Sequence, residues 1–177
     1  VSILNSDLIH EISFYTGAFP SNRGGALSSV MDITLKDGNP DKQAFKATVG
    51  ASEVGVSASG HIGRKTTYIA SVRQSYLQLL FKLLGLPMLP NYIDGQVKFK
   101  TKLDSRNEIM FIGLAGFDDM KLSDKPDDAA DEYLLSYLPT LKQETFTVGT
   151  SYRHFGDSHV QTYSISYSYL NNRNLKY

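Results

Sequence analysis

Residues 93–103, IDGQVKFKTKL, decide the fold. Ile93, Gly95, Val97, Phe99, Thr101 and Leu103 alternate with Asp94, Gln96, Lys98, Lys100 and Lys102. A strict period of two is the signature of a β-strand, whose successive side chains point to opposite faces. Three lysines in succession on one face require that face to meet water.

The same period runs outward in both directions. Towards the N-terminus, Phe45, Ala47, Val49 and Ala51 oppose Lys46, Thr48, Gly50 and Ser52. Val54, Val56, Ala58, Gly60 and Ile62 oppose Glu53, Gly55, Ser57, Ser59 and His61. Tyr68, Ala70 and Val72 oppose Thr67, Ile69, Ser71 and Arg73 less cleanly. Towards the C-terminus, Phe146, Val148, Thr150 and Tyr152 alternate with polar residues, as do Tyr163, Ile165, Tyr167 and Tyr169. Only residues 108–117 are ambiguous, with apolar residues or glycine on both faces. Two further short strands are expected at 9–15 and 30–36. They are separated by Gly/Pro/Ser turn chemistry at 17–25 and closed by Lys36-Asp37-Gly38-Asn39-Pro40.

Connection lengths sort by parity. Those at 63–65, 104–107 and 155–158 are short, whereas 75–91 and 118–143 are long. Transmembrane β-barrels have short turns at one end and long loops at the other. Strands of about ten residues suit a tilted bilayer crossing. The exception is the connection near 52–53, short where a long one is expected. The two long connections should lie at one end of the sheet and the short turns at the other. Within 76–86, YLQLLFKLLGL, the leucine spacing predicts a helix. It is expected to pack over the barrel mouth, the alternative being a partner-binding or membrane-surface helix.

Composition narrows the function classes. With 18 basic and 18 acidic residues the net charge is +0, and no basic stripe points to nucleic acid. There is no cysteine, hence no disulfide framework and no thiolate metal site. Mean hydropathy is −0.23, which suits a soluble domain and a β-barrel equally. Eleven tyrosines and no tryptophan favour positions with one apolar and one wet end. Val1 and Tyr177 read as cut ends, so a piece of a longer protein is expected.

Residues 7–39, DLIHEISFYTGAFPSNRGGALSSVMDITLKDGN, and the following FKATVGASEVGVSASGHIGRKTTYIASVRQSYLQLL resemble TonB-dependent outer-membrane receptors, especially the SusC-like receptors of Bacteroidetes. Gly24-Gly25 and Leu27-Ser28-Ser29-Val30-Met31-Asp32-Ile33 carry the match. Arg23 stands where the family tends to have an aromatic residue, and Ala26 where it often has arginine. The resemblance implies that residues 1–39 are the C-terminal part of a plug domain. Residues 42–177 would then be the first strands of the barrel. The expected fold class is all-β, an antiparallel meander forming a partial transmembrane β-barrel with the tail of a plug. The expected localisation is the outer membrane of a Gram-negative bacterium. The implied activity is TonB-coupled uptake of a nutrient: a glycan, a peptide or a metal chelate. The partners implied are the TonB complex, reached through a region outside this chain, outer-membrane lipid, the small nutrient ligand and a surface lipoprotein.

Other chemistry finds little footing. Residues 55–60, GVSASG, nearly imitate a nucleophile elbow, but the spacing is wrong. His154 and His159 straddle a short turn without a full ligand set. The acidic stretch 118–132 has oxygen donors but no EF-hand spacing, and it reads as a solvated loop. No enzyme activity, catalytic residue, cofactor or metal is expected. The candidate ligand-binding residues are Asn22, Arg23, Asp118 and Asp119. The alternatives are a soluble β-sandwich binding module with tyrosine-lined carbohydrate contacts, and a small outer-membrane barrel enzyme. The three lysines of 98–102 should face a watery interior, and the chain should leave open sheet edges at 45–51 and 163–169.

Overall fold

A computed structural model describes residues 3–17, 19, 23, 25, 28–122, 133 and 138–175. A two-stranded antiparallel sheet comes first, pairing β1 (Ile9–Tyr15) with β2 (Val30–Leu35). Seven strands then form a second sheet in strict sequence order. They are β3 (Ala44–Val49), β4 (Glu53–Ile62), β5 (Thr66–Ser75), β6 (Met88–Lys102), β7 (Asn107–Leu122), β8 (Thr140–Phe155) and β9 (Val160–Leu175). Every neighbouring pair is antiparallel. The all-β meander expected from the period of two is therefore the fold. The sheet is open: β3 and β9 are its two edges, and they do not pair.

The register places the connections. Glu53 faces Ser75, Met88 faces Leu122, and Thr140 faces Leu175, so both long connections lie at one end. The turns at 63–65, 103–106 and 156–159 lie at the other. The tight turn at 50–52 sits at the long-connection end, with Gly50 N–H donating to the Glu53 carbonyl.

Three boundaries differ from the sequence reading. Strands β6 to β9 are 15 or 16 residues long, not about ten. At about 3.3 Å per residue they reach roughly 50 Å. The paired segments 88–92 and 118–122 thus belong to strands rather than loops, although Pro90 and the aspartates read as connection chemistry. The helix is α1 (Leu77–Leu83), shorter than its leucine pattern. Finally, residues 36–39 form no turn. They cross flat over the sheet, held by Asn39 N–H donating to Ser59 Oγ at 3.1 Å. Gly38 is needed there. A Cβ on it would lie 2.3–2.6 Å from backbone atoms of Tyr68 and Gly60.

The distribution of burial is inverted relative to a water-soluble sheet. The N-terminal segment and the β1–β2 hairpin lie over one face, called here the covered face. Under them Asp94 and Gln96 are 4 % exposed and Lys98 6 %. The opposite, open face exposes Phe45 at 79 %, Ile165 at 76 %, and Val56, Val72, Phe117 and Tyr167. The less clean alternation of β5 and β7 has a cause here. Ile69, 2 % exposed, points to the covered face, where it and Leu8 line one cavity. On β7, Met110 and Ile112 line a cavity with Ile33 and Leu35 of β2, and Ile3 packs at Gly116. Apolar residues appear on the covered face where the N-terminal segment rests on it.

Candidate functional site

Alternation on β6 projects Tyr92, Asp94, Gln96, Lys98 and Lys100 onto the covered face, and the register aligns partners beside them. Arg73 of β5 lies opposite Asp94, its Nε donating a hydrogen bond to Oδ1 at 3.0 Å and its Nη2 in ion-pair contact with Oδ2 at 3.0 Å. Its Nη1 is 3.6 Å from Glu53 Oε1. Tyr92 Oη donates to Glu53 Oε2 at 2.5 Å. Gly55, across from Arg73 on β4, leaves room for that side chain; a Cβ would stand 3.0 Å from Arg73 Cγ. The segment 55–60 is therefore mid-strand, with no strand-to-helix turn.

Nearer the short-turn end a second network holds the chain that leaves β2. Lys98 Nζ donates to the carbonyls of Leu35 and Lys36 at 2.9 and 3.2 Å and to Asp37 Oδ1 at 2.6 Å. Lys100 Nζ reaches Asp37 Oδ2 at 2.7 Å and lies 3.8 Å from Glu108, itself 3.2 Å from Arg153. Burial pushes the Asp37 carboxyl up, but the hydrogen bonds and charges of Lys100 and Lys98 outweigh it and hold the group below the usual range. An open cavity of about 710 Å³ separates this network from the hairpin, lined by His10, Ile33, Leu35, Lys100, Glu108 and Arg153. Further along, Lys46 pairs with Asp7 at 2.6 Å, and Asn5 N–H donates to Gln96 Oε1 at 3.3 Å. Ser71 Oγ and Gln96 Nε2 are buried with no hydrogen-bond partner among the described residues. The arrangement supplies fixed, mutually neutralised charge and polar surface, suited to holding a chain segment and to contact with polar solutes.

The open face has a different order. A row of rings near the short turns joins Tyr68, Phe99 and Phe111, with centroids 6.4 Å apart at each step. One rung further, Tyr152 stacks on Tyr163 at 6.3 Å. The apolar band ends in a second aromatic level at Phe117 on β7 and at the pair Phe146–Tyr169 on β8 and β9. From Ile109 to Phe117, or from Tyr163 to Tyr169, it extends roughly 20–27 Å along the strands. Beyond it the face becomes polar: Glu144 and Asn171 stand on the Phe117 rung itself, and Asn91, Asp119, Lys142 and Arg173 on the next. At the other end Asn107, His154 and Gln161 form the polar level.

Of the expected ligand residues, Asn22 lies outside the described residues, as does the acidic stretch 123–132. Arg23 forms an ion pair with Asp32 of β2. Asp118 and Asp119 are not brought together: Asp118 shares the covered face with Tyr92 and Gln143, whereas Asp119 is on the open face, 3.6 Å from Lys121. The rings of His154 and His159 are 6.4 Å apart, with His154 Nδ1 against Asn107 Oδ1 at 2.7 Å. Among the described residues no His, Asp and Glu grouping could hold a metal ion. The sequence reading missed Arg73, Asp94 and Glu53 as one cluster and Asp37 as the partner of Lys98 and Lys100. Their pairing depends on register and on a distant segment, which local periodicity does not encode. No family model, curated protein or solved structure matches this chain.

Proposed function

We propose that this chain belongs to an outer-membrane receptor of the TonB-dependent kind that imports a nutrient by energy-coupled transport. Residues 1–39 act as the tail of the plug and residues 42–177 as the first strands of the wall. One observation carries the reading: the sheet buries Asp94, Gln96 and Lys98 beneath the N-terminal segment and leaves an aromatic-edged apolar band bare. In water, that bare face is costly, at roughly 25 cal/mol per Å² of apolar surface. Against lipid it is the favourable arrangement, an apolar band about 25 Å tall flanked by aromatic girdles. The open edges at β3 and β9 suit a wall continued by further strands, since plugged transporters of this class have about 22. The resemblance of residues 7–39 to the plug's end adds the energy coupling and the nutrient classes.

The membrane part is tested on the full-length protein by fractionation and gel mobility. It should be extracted only by detergent and should migrate differently unheated and boiled. Release into buffer without detergent would favour a soluble sandwich. The transport part is tested by accumulation of a labelled oligosaccharide, oligopeptide and ferric chelate in cells with and without the protein. One of these should accumulate in a protein-dependent, protonophore-sensitive way; if none does, the transport reading fails.

A further inference from the structure

We infer that α1 and the turn after it form an interfacial anchor that lies in the lipid headgroup boundary beside the wall; this rests on the outer-membrane reading. β5 stops pairing with β6 at Gln74–Ile93, whereas β6 continues with β7 for five more rungs to Met88–Leu122. The chain that would have continued β5 turns instead into α1, which packs against β6. Gln74 and Ile93 share one level with Phe117, the end of the apolar band. α1 therefore starts where lipid would give way to headgroups.

The chemistry of the segment suits that depth. At 100° per residue, Leu77, Leu80 and Phe81 fall on one side of the helix and are half-buried. Leu79 and Leu83 fall on the opposite side, and Leu86 extends it; they are 57 %, 74 % and 39 % exposed. Gln78, Lys82 and Gly85 fill the narrow polar arc between. Among the described residues no side chain of α1 is fully buried. Residues 54–93 contain no Asp or Glu, and Lys82 is the single charge between Arg73 and Asp94. Apolar side chains beside a lysine fit an anionic lipid surface. The other long connection differs in composition: its sequence carries Asp124, Asp127, Asp128 and Asp131.

The test places one nitroxide label at a time on the full-length protein in phosphatidylethanolamine–phosphatidylglycerol bilayers, at Leu79→Cys, Leu83→Cys or Lys82→Cys. Phe111→Cys marks the apolar band and Lys142→Cys the polar level beyond its far end. Collisions with dissolved oxygen are compared with collisions with a water-soluble nickel chelate. The oxygen-to-nickel ratio at 79 and 83 should exceed that at 142 several-fold and should fall at 82. If 111 reads lipid while 79 and 83 read like 142, or are shielded from both reagents by protein, the anchor is overturned and the barrel stands. If 111 itself reads water or protein, the outer-membrane reading fails and the anchor fails with it. Gel mobility of each labelled variant establishes folding first, and either leucine position suffices to separate these outcomes.

Discussion

The covered and open faces of the seven-stranded sheet are made by the same strands, yet they obey opposite solvation rules. On the covered face polar groups are buried, with the charges of Asp94 and Lys98 paired; on the open face large apolar groups stand exposed. Burying a charge is expensive unless it is paired and hydrogen-bonded. The covered face therefore depends on specific partners, such as Arg73 for Asp94 and Asp37 for Lys98. The open face depends on no partner, only on the absence of charge between its aromatic levels. A local change should be costly on the covered face when it orphans an ion. On the open face it should be costly when it introduces one.

The largest expected effect is at the buried pair. Asp94→Ala removes the hydrogen bond and the ion pair to Arg73, whose side chain is 11 % exposed, and leaves Glu53 at 3.6 Å. Breaking a buried pair costs about 3–5 kcal/mol, and the surviving Glu53 places this case at the lower end. Urea unfolding of the full-length protein in lipid vesicles reads it. A loss below about 1 kcal/mol would mean that the covered face is as wet as an ordinary surface.

Next comes the reverse experiment, on neighbouring residues of β8. Val148 points to the open face and Thr147 to the covered face, where its hydroxyl donates to Ser168 Oγ at 3.0 Å. Val148→Lys should cost about 2–4 kcal/mol if the band meets the bilayer midplane. Thr147→Lys should stay within about 0.5–1 kcal/mol, since its surroundings are polar and half-exposed. Equal costs, or the opposite order, would contradict lipid on the open face. A third and smaller effect tests the crossing that joins the hairpin to the sheet. Gly38→Ala pushes a methyl into backbone atoms, which cannot step aside as a side-chain end could, at about 1–3 kcal/mol. Gly50→Ala is the control: its nearest neighbours stand 3.5 Å away, so melting should barely move.

The open face is the more legible of the two in the sequence. Its rule, apolar at every second residue, is local, so β4, β6, β8 and β9 are visible from alternation alone. The covered face is legible only as polar. What each lysine or aspartate touches depends on register between strands and on a segment more than 60 residues away in the case of Asp37 and Lys98. The same reason accounts for β7. Its two apolar faces are ambiguous in sequence because one of them answers to Ile3, Ile33 and Leu35, whose approach no alternation announces. The sequence understates strand length because Asp118, Asp119 and Pro90 carry loop chemistry, whereas ladder pairing takes them past the apolar band.

The smallest effect, and the sharpest test of the covered face, is its response to acid. Asp37 is lowered in the folded protein because Lys100 and Lys98 favour its charged form more than burial opposes it. A depressed folded-state value means that its contribution to stability is fully present above the unfolded carboxylate value of about 3.9. That contribution falls away as pH drops through the lower folded value, because the unfolded chain takes up the proton first. Asp37 keeps 46 % of its side chain exposed, so solvent screening keeps the amplitude small. The measurement is the difference in unfolding free energy between the intact protein and Asp37→Asn from pH 7 down to pH 3. The difference should be constant at neutral pH and shrink only below about pH 4. It should shrink less in Lys98→Gln, where one of the two cations holding the carboxylate is gone. A difference that stays flat to pH 3, or already fades near pH 6, would show that Asp37 is not held by these lysines and that the crossing rests on Gly38 alone.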